Sequence, residues 1–340
     1  MHRVGIVGLG QIAEGYGSPE SSTSYCHAGG ILNSNKVELV AVADLSDDRR
    51  KAFSDKWGKA FPDVKYFNSA DEMFSIAKLD IVAICVRGPS HHQVAMSALS
   101  ASSAASLFLE KPPTSSLEEM DTLRSAAKEK KIPITVSYSR HWSPHVLRMQ
   151  ELVADGLIGD VEAIVSYGGG GFLSYACHGT DLICQFAGSY PKTVMATAHL
   201  RDEAPVGYER EPVLDGMIIE FENGVVGQQT GHNGEHGGFY CEVVGRRGRC
   251  IVGMYLRPTG KDHKNRPLDL ESEMPRDRSV FSVAYEQIST HLDGGPVPHC
   301  TDEAFAAIHE IGFAGIESWH TGQKTHLPVA NRSRRIFANG

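Results

Sequence analysis

The sequence predicts an α/β protein of two domains, the first built on a parallel sheet and the second α+β with a large, mostly antiparallel sheet. Helix-like and strand-like segments alternate over the first 137 residues, which is typical of βαβ units with parallel strands. A glycine-rich turn directly follows the first strand-like run. From residue 161 onwards, short apolar runs joined by turns replace that alternation, and this pattern indicates antiparallel strands.

The bulk properties are those of a folded globular protein with two cores. At 340 residues the chain exceeds the usual size of one core, and we divide it into domains at 1–137 and 138–330 with a basic tail at 331–340. The net charge of -8 argues against a nucleic-acid or anionic-membrane partner. Seven scattered cysteines lack any Cys-x-x-Cys pair and indicate reduced thiols. Without a signal or membrane-spanning run, the expected location is the cytoplasm.

The elements of both domains follow from apolar runs and helix-start signals. First-domain strands are predicted at 4–7, 37–43, 64–67, 80–86, 105–109 and 132–136, and second-domain strands at 161–167, 194–199, 217–220, 225–230, 240–244 and 250–253. Helices are predicted at 47–57, 70–77 and 90–101. A capping box with Ser115 as N-cap and Glu118 at N3 starts another, which runs to about Lys130. Asn223-Gly224 between two apolar runs predicts a hairpin.

The turn after the first strand has the pattern Gly-x-Gly-x-x-Ala. Such a turn alone is a weak signal, because glycines also serve ordinary tight turns. Its place at the end of a first strand makes this a Rossmann-type sheet, and the backbone N–H groups from Gly10 through Gln11 to Ile12 would face a pyrophosphate at a helix N-terminus. Gly8 opens the same turn. We therefore predict a dinucleotide cofactor.

Asp44 at the end of the second strand indicates which dinucleotide binds. A carboxylate there can accept both adenosine ribose hydroxyls and repels a 2'-phosphate, which favours NAD over NADP. The alternative is that Asp44 caps the next helix. It lies 34 residues past Gly10, against about 20 in the usual fingerprint, and the excess matches a Gly/Ser stretch at 15–24 that we interpret as an insertion. Arg49 and Arg50 could bind a 2'-phosphate, although their helical position favours a solvated surface.

Glu110-Lys111-Pro112 follows the buried strand at 105–109. In open α/β sheets, ligands bind at the carboxyl ends of the strands, so both charged side chains are predicted beside the cofactor. Lys111 could donate to a reacting oxygen, and the alternative is a solvated turn lysine. A cis bond at Pro112 would aim Lys111, although only about one X-Pro bond in twenty is cis.

His178 and Asp181 follow a glycine run at 168–171. Imidazole titrates near neutral pH and suits a general base. The spacing of three places both side chains on one helical face, where Asp181 could orient the imidazole or hold a substrate hydroxyl. A lone histidine on a helix is otherwise more often a packing residue.

With these motifs in order, the chain resembles the glucose-fructose oxidoreductase, inositol dehydrogenase and rhizopine catabolism (Gfo/Idh/MocA) family over nearly its whole length. The matching segments are 8–13, 38–44, 110–112, 140–144, 168–171 and 178–181. The resemblance implies an NAD(P)-dependent oxidoreductase for a sugar, cyclitol or related polyol. It also implies a homodimer or homotetramer formed through the second domain's sheet.

The resemblance also implies roles for single residues. Lys111 relays a proton and binds substrate, while Glu110 contacts the nicotinamide ribose. Pro89 and His91 take positions that line the nicotinamide side, although the loop departs from the family's usual Thr-Pro. Arg140 and His141 are candidate cofactor or substrate contacts. Ser143-Pro144 in the same segment predicts the N-cap and N1 of the next helix.

One position departs from the family pattern. Inositol dehydrogenase-like members have an aspartate four residues before the histidine, and this chain has Ser174. A serine cannot stabilise an imidazolium by charge, so either Asp181 or Tyr175 compensates or the reaction differs.

The segment 232–236 reads His-x-x-Glu-His, a zinc pattern when it lies on a helix. Surrounding glycines argue against a helix, at roughly 1 kcal/mol each, and we predict no metal.

Two alternatives to a dehydrogenase remain. An NAD-retaining enzyme could cleave a glycosidic bond through transient oxidation, as some family members do. A sugar-sensing regulator could keep the fold without turnover, and Ser174 is its main support.

Overall fold

The computed structural model describes residues 1–200, 203–231, 239–254 and 256–338. These residues form two compact units. The first comprises Met1–Trp142 together with Arg278–Phe305, and the second comprises Ser143–Asp277 and Ala306–Ala338. The stretch 278–305 therefore belongs to the first unit, whereas the sequence assigned all of 138–330 to the second domain.

The first unit contains a six-stranded sheet in the order β3-β2-β1-β4-β5-β6, with every neighbouring pair parallel. This confirms the predicted Rossmann-type sheet. The sheet order reverses at β1, so the carboxyl ends of β1 and β4 flank the crevice where ligands bind in such folds. The strands are β1 (His2–Val7), β2 (Val37–Ala43), β3 (Lys65–Phe67), β4 (Ile81–Ile84), β5 (Ser106–Leu109) and β6 (Ile134–Val136).

The helices of the first unit begin at polar caps. They are α1 (His27–Leu32), α2 (Asp47–Trp57), α3 (Ala70–Ile76), α4 (His91–Ala101), α5 (Leu117–Lys130) and α8 (Val280–Leu292). The predicted capping box of α5 is wrong by one residue: the N-cap is Ser116, whose side chain accepts from the Glu119 N–H, and the Glu119 carboxylate accepts from the Ser115 N–H. Leu117 is fully buried as the first helical residue, and this burial fixes the register.

The segment after the glycine turn forms two short pieces instead of one helix. Gln11–Gly15 is a single π-helical turn, and α1 begins only at His27, after the predicted insertion. Cys26 caps α1, with its sulfur 3.4 Å from the Gly29 nitrogen. A Cβ at Gly30 would lie 2.3 Å from Cβ of Phe281, so glycine allows α1 and α8 to pack closely.

The second unit contains a nine-stranded sheet in the order β15-β14-β13-β7-β12-β11-β9-β16, with β8 paired to β11. Its neighbours are antiparallel except for β7 and β12, which confirms a mostly antiparallel sheet. The strands are β7 (Val161–Tyr167), β8 (Gly170–Gly171), β9 (Pro191–Leu200), β11 (Pro212–Phe221), β12 (Val226–Thr230), β13 (Tyr240–Gly245), β14 (Gly248–Gly253), β15 (Leu256–Asp262) and β16 (Thr325–His326), and the short β10 (Glu209–Arg210) pairs separately with β17 (Ile336–Phe337).

The described residues of the second unit also contain the helices α6 (Pro144–Ala154) and α7 (Cys177–Ala187), together with α9 (Glu303–Thr321) from Ala306 onwards. Ser143 precedes α6 and Pro144 is its first residue, as predicted. A Cβ at Gly179 would lie 2.5 Å from the Gln229 side chain, so a glycine lets α7 approach the sheet closely. No helix in the described ranges is long and apolar enough to cross a membrane.

Candidate active site

The glycine-rich turn after β1 has the backbone of a phosphate cradle. Gly8 has φ +87°, and a Cβ there would lie 2.7 Å from the Cys85 carbonyl, so only glycine fits. Gly10 adopts an extended conformation before the π-helical turn that Gln11 and Ile12 begin. The first N–H groups of a helical turn have no carbonyl partner within it, and these donors suit a pyrophosphate.

Asp44 connects the end of β2 to this turn. Its Oδ2 accepts from the Leu9 N–H at 2.7 Å, and its Oδ1 accepts from the Ser46 N–H at 2.9 Å. Ser46 is the N-cap of α2, accepting from the Arg49 N–H, so the capping role that competed for Asp44 belongs to Ser46. The Arg49 guanidinium lies 3.7 Å from Asp44 Oδ2 and is about half exposed.

Glu110 is a buried carboxylate at the carboxyl end of β5, with 4% of its surface exposed. Its Oε1 lies 3.1 Å from His27 Nε2, and its Oε2 accepts from the Lys111 N–H at 3.2 Å. Burial by itself raises the pKa of this carboxyl. The hydrogen bond and charge of His27, the charge of Lys111 and a hydrogen bond from Ser137 outweigh burial, and the pKa of Glu110 lies below its ordinary value.

The loop before α4 is connected to Pro112. His91 is 1% exposed, and its Nδ1 and Nε2 lie 2.6 Å from the Pro112 carbonyl and 2.8 Å from the Val86 carbonyl. Pro89 lies in the short 3-10 turn just before it. The structure thus brings together the two segments that the sequence assigned to the nicotinamide side. Lys111 is half-buried, and its bond to Pro112 is cis.

Arg140 and His141 lie on a 3-10 turn that ends the first unit's continuous segment. Both are buried, at 5% and 8% exposure. Arg140 Nη1 donates to Ser139 Oγ at 3.0 Å, and that oxygen lies 2.7 Å from the Tyr25 hydroxyl. These contacts connect the turn to Tyr25, the residue that directly follows the predicted insertion.

In the second unit, His178 and Asp181 lie on the first turns of α7. His178 is 7% exposed and its ring centroid lies 5.4 Å from that of Phe239. Asp181 has no exposed surface, and its Oδ2 accepts from the Gln185 side chain at 3.0 Å. Tyr175, by contrast, is 51% exposed.

Glu211 is a residue that sequence reasoning missed. Its Oε1 accepts from the N–H groups of Leu173 and Ser174 at 2.6 and 2.8 Å, and its Oε2 accepts from Ser174 Oγ at 2.6 Å. A carboxylate therefore lies against the very position where the resemblance expects an aspartate. Glu211 is 37 residues away along the chain, and no local pattern marks it.

Gln229 on β12 is a second residue that was missed. It is fully buried, and its side-chain nitrogen donates to the carbonyls of Gly168 and Ala176 at 3.0 and 2.7 Å, while its oxygen accepts from Thr180 at 2.9 Å. One amide thus connects the glycine run to the start of α7. A glutamine at an inward-facing strand position was the signal available in the sequence.

The His-x-x-Glu-His segment at 232–236 lies outside the described residues. Within the residues that are described, no group of three or more His, Cys, Asp or Glu side chains could hold a metal ion. None of the seven cysteines forms a disulfide bond within the described part of the chain.

A phosphate cradle after β1 and an acidic residue after β2 define a dinucleotide-binding domain. The family models agree: residues 2–138 match the oxidoreductase family, NAD-binding Rossmann fold, and 165–327 match the oxidoreductase family, C-terminal alpha/beta domain. The chain therefore belongs to the Gfo/Idh/MocA oxidoreductase family, and its first unit is the NAD-binding domain.

Named relatives are distant. The myo-inositol 2-dehydrogenase of Thermotoga maritima is 20% identical over 266 residues, which is 74% of this chain and 75% of that protein. Among solved structures, the aldose-aldose oxidoreductase of Caulobacter crescentus in complex with glycerol has a TM-score of 0.76 at 15% identity, covering 96% of this chain and 99% of that one. The scyllo-inositol dehydrogenase of Lactobacillus casei, with bound NAD(H) and scyllo-inositol, has a TM-score of 0.71 at 21% identity and the same coverage.

Proposed function

We propose that this oxidoreductase transfers a hydride between NAD and a hydroxyl or keto carbon of a sugar, cyclitol or related polyol. The observation that carries the proposal is Lys111, which directly follows the buried Glu110 carboxylate at the carboxyl end of β5. That sheet edge is where the ligands of such folds bind. The names of the inositol dehydrogenase relatives support the substrate class.

NAD, when bound, supplies the hydride acceptor or donor. The N–H groups of Gln11 and Ile12 bind its pyrophosphate, and Asp44 accepts from its adenosine ribose, a carboxylate that favours NAD over NADP. Glu110 accepts from the nicotinamide ribose, with Pro89 and His91 forming the adjoining loop. Removing a hydride from a carbinol carbon is easier as its hydroxyl proton leaves, so the remaining residues must bind and deprotonate that hydroxyl.

Lys111 and His178 supply those two functions. The Lys111 ammonium donates to the reacting oxygen and stabilises the negative charge that develops on it. His178 takes the hydroxyl proton in oxidation and returns it in reduction. Arg140 and His141 contact the bound ligands from the end of the first unit. Tyr175, which is exposed beside Ser174, hydrogen-bonds to a further substrate hydroxyl, whereas Asp181, which has no exposed surface, orients the His178 imidazole from the same face of α7.

The test is a screen of sugars, cyclitols and sugar acids, with NAD and NADP separately, following nicotinamide absorbance. Lys111→Ala and His178→Ala should each lower kcat/KM by about 10²- to 10⁴-fold. Lys128→Ala on α5 and His199→Ala on β9 are matched controls that should keep wild-type turnover. Full activity in both Ala variants of the proposed catalytic residues would contradict the mechanism. Release of an aglycone without net NADH would replace dehydrogenation by the glycoside-cleaving alternative.

We also propose that the chain forms a homo-oligomer through the sheet of the second unit. Met195 on β9 and Ile218 on β11 are register partners, and they are 46% and 49% exposed. Val226 on the adjacent β12 is 39% exposed. Large apolar side chains exposed on neighbouring strands indicate a surface that another protein covers, and a second copy of this sheet supplies a matching apolar face.

A further inference from the structure

Two buried side chains from other elements of the first unit form a series of hydrogen bonds that ends at Glu110. His27 begins α1 and Tyr285 lies on α8, and neither has any exposed surface. The Tyr285 hydroxyl lies 2.8 Å from His27 Nδ1, and His27 Nε2 lies 3.1 Å from Glu110 Oε1. We propose that His27 and Tyr285 are positioning residues for cofactor binding, which hold the Glu110 carboxylate in one orientation. The inference rests on the proposed contact of Glu110 with the nicotinamide ribose.

The direction of the hydrogen bond to Glu110 follows from chemistry. An ionised carboxylate only accepts, so the His27 Nε2–H is the donor to Glu110. When the ring is neutral, Nδ1 accepts from Tyr285, and when the ring is protonated, Nδ1–H donates to the Tyr285 oxygen, so this pair is hydrogen-bonded in both states. Burial raises the pKa of Tyr285 well above its ordinary value, so the hydroxyl stays protonated. The series therefore runs from Tyr285 through His27 to one oxygen of Glu110, and Oε2 faces the Lys111 N–H.

Aromatic packing fixes the imidazole. The His27 ring centroid lies 4.9 Å from that of Phe108, 4.5 Å from that of Phe281 and 5.9 Å from that of Tyr285. Phe108 is on β5, two residues before Glu110, and the other two rings are on α8. A ring enclosed on these sides cannot turn away from Glu110 without displacing its neighbours.

Positioning and ionisation are coupled at this site. The titratable groups that act on Glu110 or its partners are His27, Tyr285, Lys111, His91, Cys85 and Cys26. Burial destabilises the charged carboxylate, and His27 has the largest effect among the groups that lower the pKa of Glu110. Without the imidazole, only Lys111 and Ser137 among these groups favour the charged carboxylate. The pKa of Glu110 therefore rises, and the carboxylate binds a proton at higher pH.

The experiment measures the NADH dissociation constant by fluorescence titration from pH 5.5 to 8.5. In the wild-type protein, the constant should not change with the ionisation of Glu110. In His27→Leu, which leaves no side-chain donor to Glu110 at this position, it should increase as pH falls below the raised pKa, by up to about tenfold per pH unit. The double variant His27→Leu/Glu110→Gln should lose this step, because the amide does not titrate. A His27→Leu profile parallel to the wild type would overturn the inference.

Tyr285→Phe keeps the aromatic packing and removes only the hydroxyl. It should weaken NADH binding by about three- to tenfold, since one of the two hydrogen bonds that orient His27 is lost. Ser289→Ala is the matched control, because Ser289 is buried on the same helix and its hydroxyl lies 2.7 Å from His2 Nδ1, away from Glu110. If His27→Leu does not fold, this pair decides: equal NADH affinities would overturn the inference, and weaker binding in Tyr285→Phe alone would support it.

Because the readout is NADH binding, it is independent of polyol turnover. Failure of every substrate in the screen would refute the proposed function and leave this test intact. Flat pH profiles with active turnover would refute only the role of His27 and Tyr285.

Discussion

Moving the carboxylate from position 211 to position 174 tests whether Glu211 supplies the charge that Ser174 lacks. Ser174 Oγ lies 2.6 Å from Glu211 Oε2, so Ser174→Asp places two carboxylates against each other. At about 4 Å and an effective dielectric of about 20, their repulsion is about 4 kcal/mol. Glu211 is half-buried, and solvent screening reduces this to about 2 kcal/mol.

The single and double variants should therefore behave differently. Ser174→Asp should be destabilised by about 2 kcal/mol, and Ser174→Asp/Glu211→Gln should recover at least half of that, because one carboxylate remains. Glu211→Gln alone keeps the shape but removes the charge from the hydrogen bonds with Leu173 and Ser174, in the turn before α7, and should lower kcat/KM by about tenfold. In the double variant, the new aspartate should restore most of that activity.

Thermal and urea unfolding measure the stability changes, and the substrate found in the screen measures turnover. Glu222→Gln, an exposed acid in the β11–β12 turn of the same unit, removes the same charge without contacting Ser174 and serves as control. The proposed role of Glu211 is refuted if Glu211→Gln matches this control in both stability and kcat/KM, or if Ser174→Asp is as stable as the wild-type chain.

Two further predictions concern assembly and pH. Ile218→Glu should reduce the oligomer measured by light scattering to a smaller species, because a charge would be buried beside Met195 of the apolar surface; an unchanged mass would contradict the sheet interface. Burial and the charge of Arg332 lower the pKa of His309 to about 3, so the unfolded chain binds a proton below about pH 6.5 that the folded chain does not. Stability should fall as pH drops, by about 2 kcal/mol between pH 8 and 5 from this residue, and His309→Gln should lack that part of the loss in urea titrations.

Much of the fold was predictable because its signals are local. The parallel strands of the first unit are continuous apolar runs, and the glycine turn and Asp44 are adjacent to strand ends. The cap of α5 was not predictable to the residue, because Ser115 and Ser116 are adjacent. Its hydrogen bonds and the burial of Leu117 identify Ser116 as the N-cap. The return of 278–305 to the first unit depends on packing of α8 against α1, which no local pattern reports.

The candidate site was predictable only at its motifs. Lys111 and His178 lie in recognisable patterns, and they remain predictions that await the variants above. No recognisable pattern contains Glu211, Gln229 or Tyr285, because their hydrogen-bond partners lie 37, 53 and 258 residues away along the chain. Single-sequence reasoning can assign a residue type to a role, but it cannot show which distant side chain satisfies that residue's hydrogen bonds.

The two units share one feature that changes how the departure at Ser174 should be interpreted. In each, a carboxylate is held beside a motif residue by groups far away in sequence: His27 and Tyr285 hold Glu110, and Glu211 lies on Ser174. Burying a charge is costly unless hydrogen bonds compensate it, so such carboxylates persist only where their partners are in place. Loss of the aspartate at position 174 therefore does not by itself indicate loss of turnover. A regulator that binds NAD would still need the hydrogen bonds that hold Glu110 for the cofactor. It would not need the three hydrogen bonds to Glu211, and their presence favours an active enzyme.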